Sequence, residues 1–82
     1  MPQFFFHLRD GHDVLLDGEG IELAGLEAAA AQALKEARSL ISHDALEGRI
    51  NLRQRIEVEA PAGTVVHRLE FVDAVEIVRG RN

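Results

Sequence analysis

The residues best equipped for chemistry are His7, Glu57, Arg68 and Glu70, an imidazole, two carboxylates and a guanidinium lying in three separate stretches of alternating pattern. In the run Gln3 to Arg9, Phe4, Phe6 and Leu8 share one face of a strand, which leaves Phe5 and His7 on the other. Arg68, Glu70 and Glu57 fall on that second face if their strands lie alongside. The resulting His–Glu–Arg cluster has the chemistry of a general base or an anion site. Cross-strand ion pairing on an open sheet face explains the same residues without a function. It is the reading the sequence favours, because no nucleophile accompanies them: Ser39 and Ser42 sit in a helical pattern and Thr64 borders a turn. No catalytic residue is assigned, and the candidate binding surface is Phe5, His7, Val66 and Arg68.

Metal and phosphate chemistry find no support. Asp10, His12, Asp13, Asp17 and Glu19 lack the alternating ligands, central Gly and distant Glu of a calcium loop. His7, His12, His43 and His67 have no ligand-pair spacing, and the chain contains no Cys, which removes thiolate zinc sites and thiol catalysis. Gly18 and Gly20 precede neither a lysine nor a dinucleotide-binding unit. Acidic residues beside Gly read as turn formers. No cofactor and no metal is expected. His67 alternates with Val65 and Leu69, so it should point toward the core layer. His43 and Asp44 suit a helix end.

The net charge of −5 weighs against nucleic acid as a partner. Arg49, Arg53 and Arg55, with Arg79 and Arg81, form a local basic exception that solvated strand ends account for. With 82 residues, 46% hydrophobic and 28% charged, the chain reads as a single compact α/β domain over residues 1–82. Met1 to Phe4 lacks the features of a signal peptide, and no apolar run approaches the roughly 20 residues of a membrane span. A cytoplasmic location and no membrane partner are expected.

Period and punctuation give the elements that position these residues. Asp10-Gly11 is a hairpin signal between Gln3–Arg9 and a return strand from His12 to Leu16. A two-residue turn there pairs Phe6 with Leu15 and His7 with Val14; a four-residue loop shifts the partners by two and keeps the faces. After the turn Asp17-Gly18-Glu19-Gly20 comes an extended lead-in, Ile21 to Leu23. From Leu26 to about Glu47 the spacing predicts one continuous helix, with Leu26, Ala30, Ala33, Leu34, Ala37, Leu40 and Ile41 on its apolar face. Gly25 serves as N-cap and Gly48 as the αL residue that stops the helix. Alternation returns at Ile50, Leu52, Ile56 and Val58, and Ala60 to Gly63 is a turn before a strand from Thr64 to Val72. Asp73 to Val78 reads equally as a short helix or a closing strand, and Gly80-Arg81-Asn82 as a frayed end.

The fold class is therefore α+β, ββαββ: a mainly antiparallel four-stranded sheet with one long helix on one face. Its helix-facing layer is expected to hold Phe4, Phe6, Leu8, Ile56, Val58, Val65, Leu69 and Phe71.

The run Phe4-Phe5-Phe6-His7-Leu8-Arg9-Asp10-Gly11, the segment Asp17 to Leu23, the Ala-rich helix and Phe71 to Val75 together resemble a family of small bacterial proteins classed only as a domain of unknown function. The likeness covers almost the whole chain. Gly25 stands where an Asp is expected before the helix, and Glu70 where a Pro often precedes the Phe. The resemblance implies no activity, ligand or catalytic residue. The acidic-Gly turn leading into Leu26-Glu27-Ala28 is also similar to the partner-binding domain of antitoxins of the HicB type, although the strand order before the helix differs.

Function is not legible beyond classes. The favoured one is a small non-enzymatic interaction module that self-associates or docks on another protein. It draws on apolar residues expected on the open face, namely Phe5, Val14, Leu16 and Val66. The alternatives are an antitoxin-like regulatory domain binding a partner protein, and a small enzyme using His7 with Glu57 or Glu70. A concave pocket beside His7, as against a flat sheet face, separates enzyme from module. The expected partner is a second copy, through the open face or a sheet edge, or another protein; no small-molecule ligand is specified.

Overall fold

The computed structural model describes residues 1–80; Arg81 and Asn82, and with them part of the basic patch and the frayed end, lie outside the described residues. Strands β1 (Gln3–Asp10), β2 (Asp13–Leu15) and β3 (Ile21–Glu22) precede helix α1 (Leu26–Leu46), and strands β4 (Arg55–Glu59) and β5 (Val65–Glu70) follow it. The sheet is antiparallel in the order β2-β1-β4-β5, and β3 also pairs with β1. The α+β class and the single long helix are as the sequence implies. The lead-in at Ile21 adds a fifth, two-residue strand.

The first hairpin turns at Gly11-His12 rather than Asp10-Gly11, so Leu8 faces Leu15 and Arg9 faces Val14. This is the register shifted by two, with the faces unchanged. Gly11 has φ +62 and no non-Gly residue has positive φ, which fits a type II′ turn with glycine at its first central position.

Helix α1 is unbroken over 21 residues. It ends in a Schellman arrangement: the Arg49 N–H donates to the Asp44 carbonyl at 3.2 Å and the Gly48 N–H to the Ala45 carbonyl at 3.0 Å. Gly48 supplies the required positive φ, +89. The buried row is Ala29, Ala33, Ala37 and Ile41, four residues apart, so Ala29 rather than Ala30 centres the stripe, and Leu26 and Leu40 are exposed. Small side chains let the helix lie close to Phe4, Phe6, Ile56 and Val58, all buried beneath it.

Two further expectations fail. Val65 does not join the helix-facing layer. A bulge between Val58 and Glu59 sets His67 opposite Val58 and Val65 opposite Glu59, leaving Val66 as the extra residue. The extra residue breaks the period-two count back from Leu69 and moves Val65 to the other face. Asp73 to Val78 is neither a second helix nor a strand. A 3-10 turn at Phe71–Asp73 buries Phe71 and Ala74 against the helix, and Arg38 Nε donates to the Ala74 carbonyl at 2.8 Å. No helix among the described residues is long and apolar enough to cross a membrane.

Candidate functional site

The face of the sheet away from α1 carries a charged row. Register places His7 opposite Glu57 and Glu57 opposite Arg68, with Arg9 opposite Arg55 one step along and Arg55 opposite Glu70. The sequence expectation that His7, Glu57, Arg68 and Glu70 share a face is met, because directly opposed residues in antiparallel strands point the same way.

Glu57 is the centre. Its side chain is 7% exposed, and it accepts hydrogen bonds from Nε of Arg55 at 3.2 Å, from Nε of Arg68 at 3.1 Å and from Nε of Arg9. Burial alone would push this carboxyl up. The three guanidinium hydrogen bonds outweigh it and hold Glu57 below the usual carboxylate range. Among the described residues Glu57 is the only ion-pair partner of Arg9, Arg55 or Arg68, and Glu70 has none. Three cations thus share one carboxylate, in a protein of net charge −5.

His7 is held from the side by the turn that follows β2. The Asp17 backbone N–H donates to His7 Nδ1 at 3.0 Å, so the neutral ring carries its proton on Nε2, which lies 3.7 Å from Glu59 Oε1. The Asp17 carboxylate accepts from the Phe6 N–H at 3.1 Å, the Glu19 N–H at 3.0 Å and the Gly20 N–H at 3.1 Å. Partial burial raises this carboxyl, but the three backbone donors prevail and lower it overall. The turn packs tightly: Gly20 has φ +74, and a Cβ there would lie 2.9 Å from Phe5 Cε2. Phe5 is consequently half-buried, covered by its own chain.

This arrangement revises the picture of an open apolar face. Val14 and Leu16 lie at the β2 side, Val66 is the bulge residue near the opposite edge, and the row between is ionic. Of the assigned surface, His7 and Arg68 belong to the row, while Phe5 and Val66 flank it. Arg9, Arg55 and Asp17 join the site without having been singled out for it. The Asp17-Gly18-Glu19-Gly20 pattern holds the signal for the last, since Asp side chains bind backbone donors two and three residues on.

The geometry does not assemble an acid–base pair of His7 with Glu57 or Glu70: the Glu57 carboxylate is engaged by arginines, and the carboxylate near His7 Nε2 is that of Glu59, at 3.7 Å. Two surface depressions do not include His7 in their lining. One is lined by Leu8, Asp10, Asp13, Val14, Leu15 and Gln54, the other by Val65, Val66, His67 and Arg68. Among the described residues no three His, Cys, Asp or Glu side chains are placed to hold a metal.

The chain belongs to the family described as Domain of unknown function (DUF6894), whose model matches residues 3–72. That span runs from β1 into the 3-10 turn and includes the whole charged row and the Asp17 turn. No curated protein and no solved structure matches the chain.

Proposed function

We propose that this protein is a non-enzymatic interaction module that self-associates through the free edge of β5. The observation that carries the reading is the difference between the two edges of the sheet. On the β1 side, β2 and β3 cover only three and two residues, and the Asp17 carboxylate occupies the Phe6 N–H near them. An edge already taken up by short segments of its own chain resists pairing. On the other side β5 ends the sheet; past the bulge at Val66 it runs in regular register from His67 to Glu70, contains no proline, and has no further strand of the chain along its outer side. An unpaired edge of this kind offers backbone donors and acceptors to another strand. The open face is a poorer docking surface, since its centre is an ion network whose desolvation is costly.

Sedimentation equilibrium across the micromolar range tests the reading. A dimer whose population rises with concentration supports it. A monomer throughout removes it.

A further inference from the structure

The direction of the β5 backbone groups follows from one hydrogen bond. The Phe71 N–H donates to the Gln54 carbonyl at 2.9 Å, which marks Gln54 and Phe71 as a bonded pair. Bonded and non-bonded pairs alternate along an antiparallel ladder. In the observed register Ile56–Leu69 and Val58–His67 are then bonded pairs, whereas Arg55–Glu70 and Glu57–Arg68 are not. Arg68 and Glu70 therefore turn their N–H and C=O groups away from β4, to the free edge.

A second β5 added antiparallel about a two-fold axis has to match outward groups with outward groups. Four registers, centred on residues 67 to 70, satisfy this near the end of the strand. Centring on Glu70 sets Glu70 against Glu70 of the second copy, a contact of like charges. Centring on Arg68 sets Arg68 against Arg68 of the second copy, a like-charge contact. Centring on His67 sets Arg68 against Val66, where the bulge disrupts the edge. Centring on Leu69 sets Arg68 against Glu70 and Glu70 against Arg68, on the face that carries Glu57. We infer that two copies pair through residues 68–70 of β5 in this Leu69-centred register, with each Glu70 carboxylate joining the arginine cluster of the other copy.

The inference rests on the self-association proposed above and names its partner surface. It also gives a role to two otherwise unconnected facts. Arg68 is 63% exposed and shares Glu57 with Arg9 and Arg55, and Glu70 makes no ion pair among the described residues. The second copy's Glu70 brings a further carboxylate to a cluster with more guanidiniums than carboxylates. The bulge at Val66 limits the ladder to its last three residues and so prevents open-ended pairing along the edge.

The experiment is a charge swap read by sedimentation. Glu70→Arg opposes arginines in both symmetric contacts and Arg68→Glu opposes carboxylates, so each variant alone should weaken the dimer by about tenfold or more. Mixing the two should restore it as a heterodimer, because each contact then joins opposite charges. Glu70→Arg leaves all three hydrogen bonds to Glu57 in place, and so remains informative if Arg68→Glu fails to fold. Leu69→Cys, in a chain without other cysteines, should form a cross-link between copies on mild oxidation, since a non-bonded pair brings the two Cα atoms to about 4.5 Å. A wild-type dimer that neither Glu70→Arg nor Arg68→Glu weakens, and that Leu69→Cys does not cross-link, overturns the register while self-association stands. A monomeric wild type overturns both.

Discussion

Asp17 and His7 hold each other in place: the Asp17 N–H donates to His7 Nδ1 at 3.0 Å while the Asp17 carboxylate takes the N–H of Phe6, the residue before that histidine, at 3.1 Å. One turn residue thereby fixes a buried ring and caps a strand edge between two short neighbours.

Asp17→Ala removes the acceptor for three backbone donors, one of them on β1 beside the core. It should cost about 2–4 kcal/mol, since bonds to a charged acceptor are worth about 1.5–3 kcal/mol and an abandoned donor adds to the loss. Urea unfolding measures this directly, and a change under about 0.5 kcal/mol would show that the turn does not hold the strand.

The glycine after this turn is open to the same measurement. Gly20→Ala forces a side chain onto φ +74 with Phe5 Cε2 and Gln3 Cγ at 2.9 Å, for a loss of about 2–4 kcal/mol. Gly18 has open space around its Cβ position and an unstrained backbone. Gly18→Ala should therefore stay within about 0.5 kcal/mol of the wild type.

Acid should act through Glu57. Its folded pKa is lowered, so its stabilising contribution is full above the ordinary glutamate value of about 4.3 and disappears as pH falls through the folded value. Glu57→Gln should thus be less stable than wild type at pH 7, by about 1–3 kcal/mol. The gap should narrow as the pH drops below about 4 and wild-type Glu57 itself takes up a proton. Urea midpoints of both proteins across that range test the sign, and a gap that stays constant with pH would contradict it.

Ala33 lies fully buried between the helix and the sheet. Ala33→Glu adds both volume and a charge at a close contact, and should abolish cooperative unfolding or lower Tm by more than about 10 °C.

The features legible in the sequence are those carried by a repeating period. Leu26 to Leu46 reads as a helix because its alanines and leucines recur on one face, and Gly48 announces its end. The two faces of β1 follow from Phe4, Phe6 and Leu8 alternating with Phe5 and His7. What escapes is whatever interrupts a period or depends on a long side chain. The extra residue at Val66 reverses the face of Val65, and nothing in a run of two valines marks it. The convergence of Arg9, Arg55 and Arg68 on Glu57 requires the register of three strands at once. Phe5 looked exposed because the turn that covers it belongs to a different segment, and Phe71 to Ala74 packs by tertiary contact where no local pattern distinguishes helix from strand.

Pairing of β5 with β5 of a second copy would change which backbone amides exchange with solvent, and amide hydrogen exchange reads this residue by residue. Leu69 and His67 donate to β4 within one chain, so their amides should be protected at every protein concentration. Arg68 and Glu70 point to the free edge, and pairing would turn their amides into donors to the second copy. Exchange at Arg68 and Glu70 should slow progressively as protein concentration rises through the dimerisation range, with Leu69 and His67 unchanged. Exchange at Arg68 and Glu70 that stays as fast at the highest concentration as in dilute solution would contradict the pairing.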